Sequence, residues 1–311
     1  MDSTHLKIGF QVAGQFPDGM PAGTELLATA RAAEEAGFDS VWAGEHLSFH
    51  NPIHDAFVML AYLAAGTEHI RLGTGIILLP LRQPVWMAKT AASLDQLSGG
   101  RLELGIGVGG EGMKDFEGAG VPPAARGART DEYLDVARAL WSGTEISHHG
   151  RFVSFDGITI QPGPVQPGGP PLWVGGKSER AALRSVDQGA GWLPAYVSPR
   201  QFEEKARLMR ARAAATGRPM PPLGAYLHTL VDENDDRARE AARAHFAERY
   251  QQPVGDHVLD KLCLVGSPDR VRERVEEYRA LGLTDMVFIP LAPWDHHRDQ
   301  AALLAERVMR S

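Results

Sequence analysis

Short apolar runs alternate with longer amphipathic ones along nearly the whole chain, and this rhythm restricts the fold more than any single motif. Apparent strands are KIGFQV (7–12), SVWAGEH (40–46), IRLGTGIILL (70–79), RLELGIGV (101–108), PLWVGG (171–176), GWLPAYV (191–197), LGAYLHTLV (223–231) and DMVFIPL (285–291). Most are continuous Val/Ile/Leu-rich runs rather than strict alternations, the pattern of strands covered on both faces, as in a parallel sheet. Helical patterns such as GTELLATARAAEEAG and SPDRVRERVEEYRALG lie between them. Glycine closes the helices, and Ser267-Pro268 reads as an N-cap followed by proline at the first helical position. Eight units in 311 residues is about 39 residues each, which predicts a single α/β domain over 1–311, a (β/α)8 TIM barrel with insertions. A doubly wound sheet also alternates, but it uses fewer strands and sets its phosphate loop after the first one. Here that loop, AGQFPDGMPAG, has no phosphate fingerprint.

Two segments break the rhythm. Residues 143–170 read as a hairpin (EISHHGRFVSF) followed by a Pro/Gly-rich loop, and 232–262 read as extra helix and loop. Both are expected as insertions on the C-terminal face of the barrel, where loops shape the mouth.

Composition narrows the function classes. The chain is 43% hydrophobic and 23% charged, with 32 basic against 39 acidic residues and a net charge of −7. That is globular composition without a basic surface for nucleic acid. Cys263 is the only cysteine, so neither a disulfide framework nor a cysteine-rich metal site is available. No run reaches the ~18 apolar residues of a membrane span, and the N-terminus lacks a signal sequence. The expectation is a soluble, cytoplasmic protein.

On a barrel, chemistry belongs at the C-terminal ends of the strands. That rule selects Glu45-His46, Thr74-Gly75-Ile76, Gly107-Val108-Gly109-Gly110-Glu111, Gly175-Gly176-Lys177-Ser178 and Gly191-Trp192. Imidazole donates or accepts a proton near neutral pH, so His46 is the leading catalytic candidate; a hydrogen-bonded loop histidine is the plain alternative. The run from Gly105 to Gly110 fits G-x-G-x-x-G. It follows the fourth strand, however, and EGMKDFEGAG after it is a poor helix former. Small residues that let a flat cofactor approach the backbone are the better reading, and a tight turn is the alternative. Gly175 to Ser178 opens a helix, whose N-terminal amides bind anions. Lys177 and Arg180 add charge there, so a phosphate site is expected; an ordinary N-cap by Ser178 is the alternative.

Weaker candidates read as structure. The pairs His148-His149 and His296-His297 lack a third ligand at useful spacing and are expected to be solvated or to belong to a hairpin. Cys263 lies between leucines and is expected to be packed. The acidic run 232–236 reads as a solvated helix start. G-x-S-x-G, a P-loop and H-E-x-x-H are all absent.

Taken together, FDSVWAGEH, IRLGTGIILLPLRQPVWMAKTAASLDQLSGGRLELGIGVG, RTDEYLDVARALW, GRFVSFDGI, PPLWVGGKS, GAGWLP and LVGSPDRVRERVEEYRALG resemble, in order, the blocks of the luciferase-like oxidoreductase superfamily. The resemblance covers essentially the whole chain and is strongest to the proteins called coenzyme F420-dependent oxidoreductases. It implies a (β/α)8 barrel that binds a flavin or deazaflavin in its mouth. It also implies a homodimer, for which the apolar helix AFVMLAYLAA is compatible. Within it, His46 matches the second-strand histidine near the reactive ring edge, and Glu45 precedes it. Gly75-Ile76 matches a position where deazaflavin members often have a non-prolyl cis peptide. Gly175, Gly176 and Lys177 match the phosphate block. Glu111 lies near the place of a ring- or substrate-facing carboxylate, one residue out of register. Two departures stand out. Gly110 stands where many relatives have tryptophan. Pro123 and Gly127 stand where FMN-using members carry H-x-x-x-Y.

The resemblance implies hydride transfer between coenzyme F420 and a small organic substrate, with His46 and the carboxylates handling the proton. Thr74 to Ile76, Gly107 to Gly109, Gly175 to Ser178 and Trp192 would line the cofactor site. Arg82, Arg151, Lys177 and Arg180 would meet the cofactor's anionic tail. The alternative is an FMN-dependent monooxygenase that takes reduced FMN from a separate reductase and reacts with O2 through a peroxyflavin. A non-catalytic flavin-binding protein is the third reading. Loops 47–56, 110–125, 143–170 and 245–262 are expected to set the substrate, with Phe49, His50, Trp192, Tyr196 and Trp294 as apolar lining.

Overall fold

The computed structural model describes residues 5–110 and 112–309. Eight parallel strands form the barrel: β1 (Lys7–Ala13), β2 (Ser40–Ala43), β3 (Arg71–Thr74), β4 (Leu102–Gly107), β5 (Leu172–Gly175), β6 (Gly191–Leu193), β7 (Gly224–Val231) and β8 (Asp285–Pro290). They pair in chain order, and β8 pairs with β1. The seam between β6 and β7 is closed by the bridges Trp192–Leu223 and Ala195–Tyr226. The TIM barrel read from the sequence is therefore the fold. All eight expected strands are present, several of them shorter than their apolar runs. β2 ends at Ala43, so Glu45 and His46 lie in the loop beyond the ladder.

Helices return the chain along the outside, and their ends follow the expected chemistry. Ser178, Ser198 and Ser267 each accept an N–H of the first helical turn. Gly37, Gly189 and Gly217 adopt the left-handed conformation that closes a helix.

Two tryptophans fill the lower barrel interior. A Cβ on Gly9 or Gly73 would lie 2.5 or 2.3 Å from the Trp42 indole, and one on Gly191 would lie 2.3 Å from that of Trp173. Glycine on neighbouring strands thus makes room for one large ring, which removes a large apolar area from water. Their polar ends are satisfied: Trp42 Nε1 donates to Ser40 Oγ at 2.8 Å, and Trp173 Nε1 to Glu103 Oε2 at 2.9 Å. Tyr226, Val287 and Ile289 complete this layer.

The two insertions part company. Residues 232–262 follow β7 and form the helices Asp235–Tyr250 and Asp256–Leu262 at the mouth. The three-residue strand Leu264–Gly266 after them, too short to carry a period, pairs with the end of β7. Residues 143–170 do form a hairpin, Ile146–His149 with Ser154–Ile158. They follow a helix rather than a strand, however, so they emerge at the opposite end of the barrel. Gln166 donates there to the carbonyl of Leu102, the first residue of β4. The expectation that this segment shapes the mouth is corrected accordingly.

Candidate active site

Interior-facing positions at the tops of three adjacent strands carry no side chain: Gly75 after β3, Gly107 in β4 and Gly175 in β5. A barrel is normally filled there. Here a cavity of about 420 Å3 opens instead, above the Trp42 and Trp173 layer. Glu45, His46, Gly75, Ile76, Gly107, Val108, Gly109, Gly175, Gly176 and Lys177, all expected at the site, line it. Glu111 lies outside the described residues.

His46 is held by Asp115. Its Nδ1 lies 2.8 Å from Asp115 Oδ2, while Asp115 Oδ1 accepts the N–H groups of Leu47 and Ser48 at 2.8 and 2.7 Å. Asp115 is buried on the six-residue helix Met113–Gly118, in the stretch read as a poor helix former. A carboxylate accepting from Nδ1–H leaves Nε2 as the basic nitrogen of the ring. Phe49 stacks on His46 at 4.2 Å.

Glu45 proves to be a brace. Its carboxylate pairs with Arg82 and accepts the Leu78 N–H at 2.9 Å. Arg82 also pairs with Asp55 and stacks over Phe57. Burial opposes the Arg82 charge, but the two carboxylates outweigh it and raise its pKa. Arg82 is therefore committed to Glu45 and Asp55 rather than to a cofactor tail. Arg180 is exposed, and Arg151 packs over Phe152 on the distant hairpin.

The Gly75–Ile76 peptide is cis. A Cβ on Gly107 would lie 1.8 Å from Ile76 Cδ1, and one on Gly175 would lie 2.6 Å from it, so the Ile76 side chain covers both glycines. Gly176 has φ +104, a conformation that glycine adopts without strain. It turns the chain into Ser178, whose side chain accepts the Ala181 N–H at 3.2 Å. Ser178 therefore caps its helix and does not line the cavity. Thr74 and Trp192 also stand behind the wall. Thr74 Oγ1 donates to the Gly105 carbonyl at 2.7 Å, and Trp192 Nε1 to that of Gly176 at 2.9 Å. Of the other aromatic candidates only Tyr196 lines the cavity; Trp294 packs on Phe16.

Of the far wall only the segment 245–262 was anticipated. Gln11, Tyr226, His228, Arg249 and Tyr250 line it. Tyr226 Oη lies close to Gln11 but makes no well-formed hydrogen bond among the described residues. Burial pushes its pKa well above the usual phenol range. His228 Nε2 lies 2.9 Å from Tyr250 Oη, and its Nδ1 is buried without a partner among the described residues. Burial, helped by the Arg249 charge, drives the His228 pKa far down, so the ring is neutral. A buried strand histidine was a signal available in LGAYLHTLV, whereas Arg249 lies within 245–262, expected to set the substrate, without having been singled out. His297 also departs from expectation. It is buried against Phe10 and Trp294, with its pKa pushed down to about 3 by burial. Cys263 is packed as expected, its pKa pushed up to about 12.

The family model for the luciferase-like monooxygenases matches residues 6–285. The chain belongs to the luciferase-like monooxygenase family. This luciferase-like oxidoreductase is 30% identical to the oxygenase component of the flavin-dependent trigonelline monooxygenase of Acinetobacter baylyi, over 85% of this chain and 82% of that one. It is 28% identical, over 96% and 99% of the two chains, to a Mycobacterium tuberculosis protein (Rv3520c) provisionally named a coenzyme F420-dependent oxidoreductase. An F420-dependent secondary alcohol dehydrogenase, solved with an F420-acetone adduct, shares the fold with a TM-score of 0.85 at 20% identity, over 99% and 100% of the chains.

The luciferase-like site fits a ring cofactor of the flavin type. A wall of glycines against which Ile76 lies flat admits a ring, and a helix N-terminus beside Lys177 suits a phosphate. Tyr226 Oη, which lies beside Gly75, and His228 Nδ1 are buried polar atoms of the same cavity with no partner among the described residues.

Proposed function

We propose that the protein is a coenzyme F420-dependent oxidoreductase that moves a hydride between the deazaflavin and a small organic substrate. The observation that carries this reading is the His46–Asp115 pair at a cavity walled by glycine. Reduction of a carbonyl or oxidation of an alcohol requires a proton partner beside the hydride. The bound deazaflavin supplies the hydride chemistry. Lys177 and the amides opening the helix Glu179–Gln188 hold the phosphate end. Gly107 and Gly175 make room for the Ile76 side chain, which backs the ring. Asp115 orients His46, whose Nε2 gives or takes the proton. Leu193 and Ile289 keep water from the reacting atoms.

An FMN-dependent monooxygenase, supplied with reduced FMN by a separate reductase, is the second reading. The 30% identity to a monooxygenase oxygenase component favours it. Against it, Pro123 and Gly127 stand in place of the H-x-x-x-Y pair, and Arg184, paired with Asp131, lies beside Gly127.

Among the described residues no helix is long and apolar enough to cross a membrane, and a cytoplasmic location is part of the proposal. So is a homodimer: Val58 and Tyr62 on the helix Ala56–Ala64 and Trp86 on the neighbouring helix Pro84–Leu97 are exposed.

Equilibrium binding of the purified protein to F420 and to FMN, each oxidised and reduced, tests the reading. F420 should bind at least about tenfold tighter, or ~1.4 kcal/mol. Preference for reduced FMN would overturn it in favour of the monooxygenase. Binding of neither would overturn the cofactor site at Gly175 to Lys177.

A further inference from the structure

Arg249 is a buried charge without a counterion among the described residues. Its side chain is 3% exposed and lines the cavity. Nη1 donates to the Pro290 carbonyl at 3.2 Å and Nη2 to the Gln15 carbonyl at 3.3 Å. No carboxylate among the described residues pairs with it, whereas Arg184, also buried, is paired with Asp131. A guanidinium is always charged and offers five donors, and two long bonds to neutral carbonyls do not compensate for burying it.

Its neighbourhood deepens the imbalance. The Arg249 charge acts on Tyr226, His228, His245 and His297, none of which is an anion. Tyr226 Oη and His228 Nδ1 add buried polar atoms with no partner among the described residues. Among the described residues this wall therefore presents one positive charge with no carboxylate partner and two polar atoms without a hydrogen bond.

The place of Arg249 separates it from the phosphate block. Its guanidinium reaches Gln15, after β1, and Pro290, at the end of β8. Gly175 to Lys177 follow β5, which the order of the closed sheet sets across the barrel from β1. A cofactor whose phosphate occupies the β5 side leaves Arg249 on the opposite wall. Tyr196, Tyr250 and Ile289 line the same cavity and give it aromatic and apolar surface.

We propose that Arg249 recognises an anionic group of the substrate, and that the substrate class is an organic carboxylate with a flat apolar body. The assignment of that carboxylate as substrate rests on the oxidoreductase reading above; the anion site itself does not.

The test uses the full chain and two probes of one shape, sodium benzoate and neutral benzamide, titrated calorimetrically with and without saturating cofactor. Benzoate should bind at least tenfold tighter than benzamide. Arg249→Met should abolish that preference while F420 and FMN affinities stay within threefold of wild type. Equal binding of the two probes, or binding of neither, would overturn the proposal. So would an Arg249→Met protein that still prefers benzoate, or one that loses tenfold or more in cofactor affinity, since the guanidinium would then serve the cofactor. If Arg249→Met does not fold, Arg249→Lys keeps the charge without the planar fork. It should weaken benzoate threefold or more, and unchanged affinity would overturn the proposal. Failure of both cofactors to bind, with the benzoate preference intact, would overturn the oxidoreductase reading and leave the anion site standing.

Discussion

The Asp115 carboxylate grips His46 Nδ1 at 2.8 Å with one oxygen and the amides of Leu47 and Ser48 with the other. One buried side chain thus shapes the loop after β2 and sets the tautomer of the ring that the loop presents to the cavity. A helix of six residues, joined to that loop only in space, governs the catalytic candidate.

Replacement of His46 by Ala should lower kcat by about 10²–10⁴-fold, the usual worth of a positioned acid or base. Cofactor affinity should change little. Asp115→Asn can still accept from the two amides, but its NH2 group faces Nδ1 and favours the other tautomer. A loss of roughly 10–100-fold in kcat is expected, read by steady-state kinetics alongside cofactor titration. Unchanged kcat in Asp115→Asn would remove the orienting role.

Glu45 is expected to matter for stability rather than for proton transfer. Glu45→Gln keeps the shape but removes the charge that Arg82 and the Leu78 amide share. Denaturant unfolding should show a cost of about 1–3 kcal/mol, and the pH profile of kcat should keep its shape. A profile that loses one limb would return Glu45 to the chemistry.

Two glycines of β4 should respond differently to alanine. On Gly105 the new Cβ would meet the Thr74 carbonyl oxygen at 2.0 Å, which is backbone and cannot yield. A loss of about 1–3 kcal/mol or more is expected in chemical denaturation. On Gly107 the obstacle is Ile76 Cδ1, the end of a flexible side chain that lines the cavity. Gly107→Ala should cost less stability and weaken cofactor binding more.

Buried histidines should make the fold acid-sensitive. Burial, reinforced by Arg249, pushes the pKa of His297 down to about 3 and that of His245 to about 4. The unfolded chain takes up these protons near pH 6.5 and the native chain does not. Their contribution is complete above pH 6.5 and is lost as pH falls towards 3–4, at up to about 1.4 kcal/mol per unit for each group. Asp285, raised to about 6 by burial, acts in the opposite sense: its contribution is present below pH 4 and lost as pH rises through 6. His297→Gln keeps a donor for the Ala292 carbonyl and should flatten the acid limb of stability against pH. An unaltered limb would assign the acid sensitivity elsewhere.

The barrel was legible because it rests on local patterns. Continuous apolar runs mark strands covered on both faces, and a glycine or a Ser-Pro pair marks where each helix ends or begins. The strand-end rule then brought His46, Gly107, Gly175 and Lys177 to one mouth without any coordinates. Asp115 escaped because it lies 69 residues from His46 in a stretch of weak helix propensity. The segment 245–262 was expected to set the substrate, but Arg249 was not singled out, because it sits among the many charges of the helix Asp235–Tyr250.

What the sequence by itself determined was therefore the order of elements, the barrel and the family blocks at its mouth, since hydrophobic period and turn chemistry act over a few residues. Only the tertiary structure decided that Glu45 is spent on Arg82, that Thr74, Ser178 and Trp192 stand behind the cavity wall, and that 143–170 lies at the far end of the barrel. It also decided that a guanidinium with no carboxylate partner among the described residues lines the site. Each depends on which side chains, distant along the chain, compete for the same hydrogen bonds and the same exclusion from water, and that competition is settled only when the sheet closes.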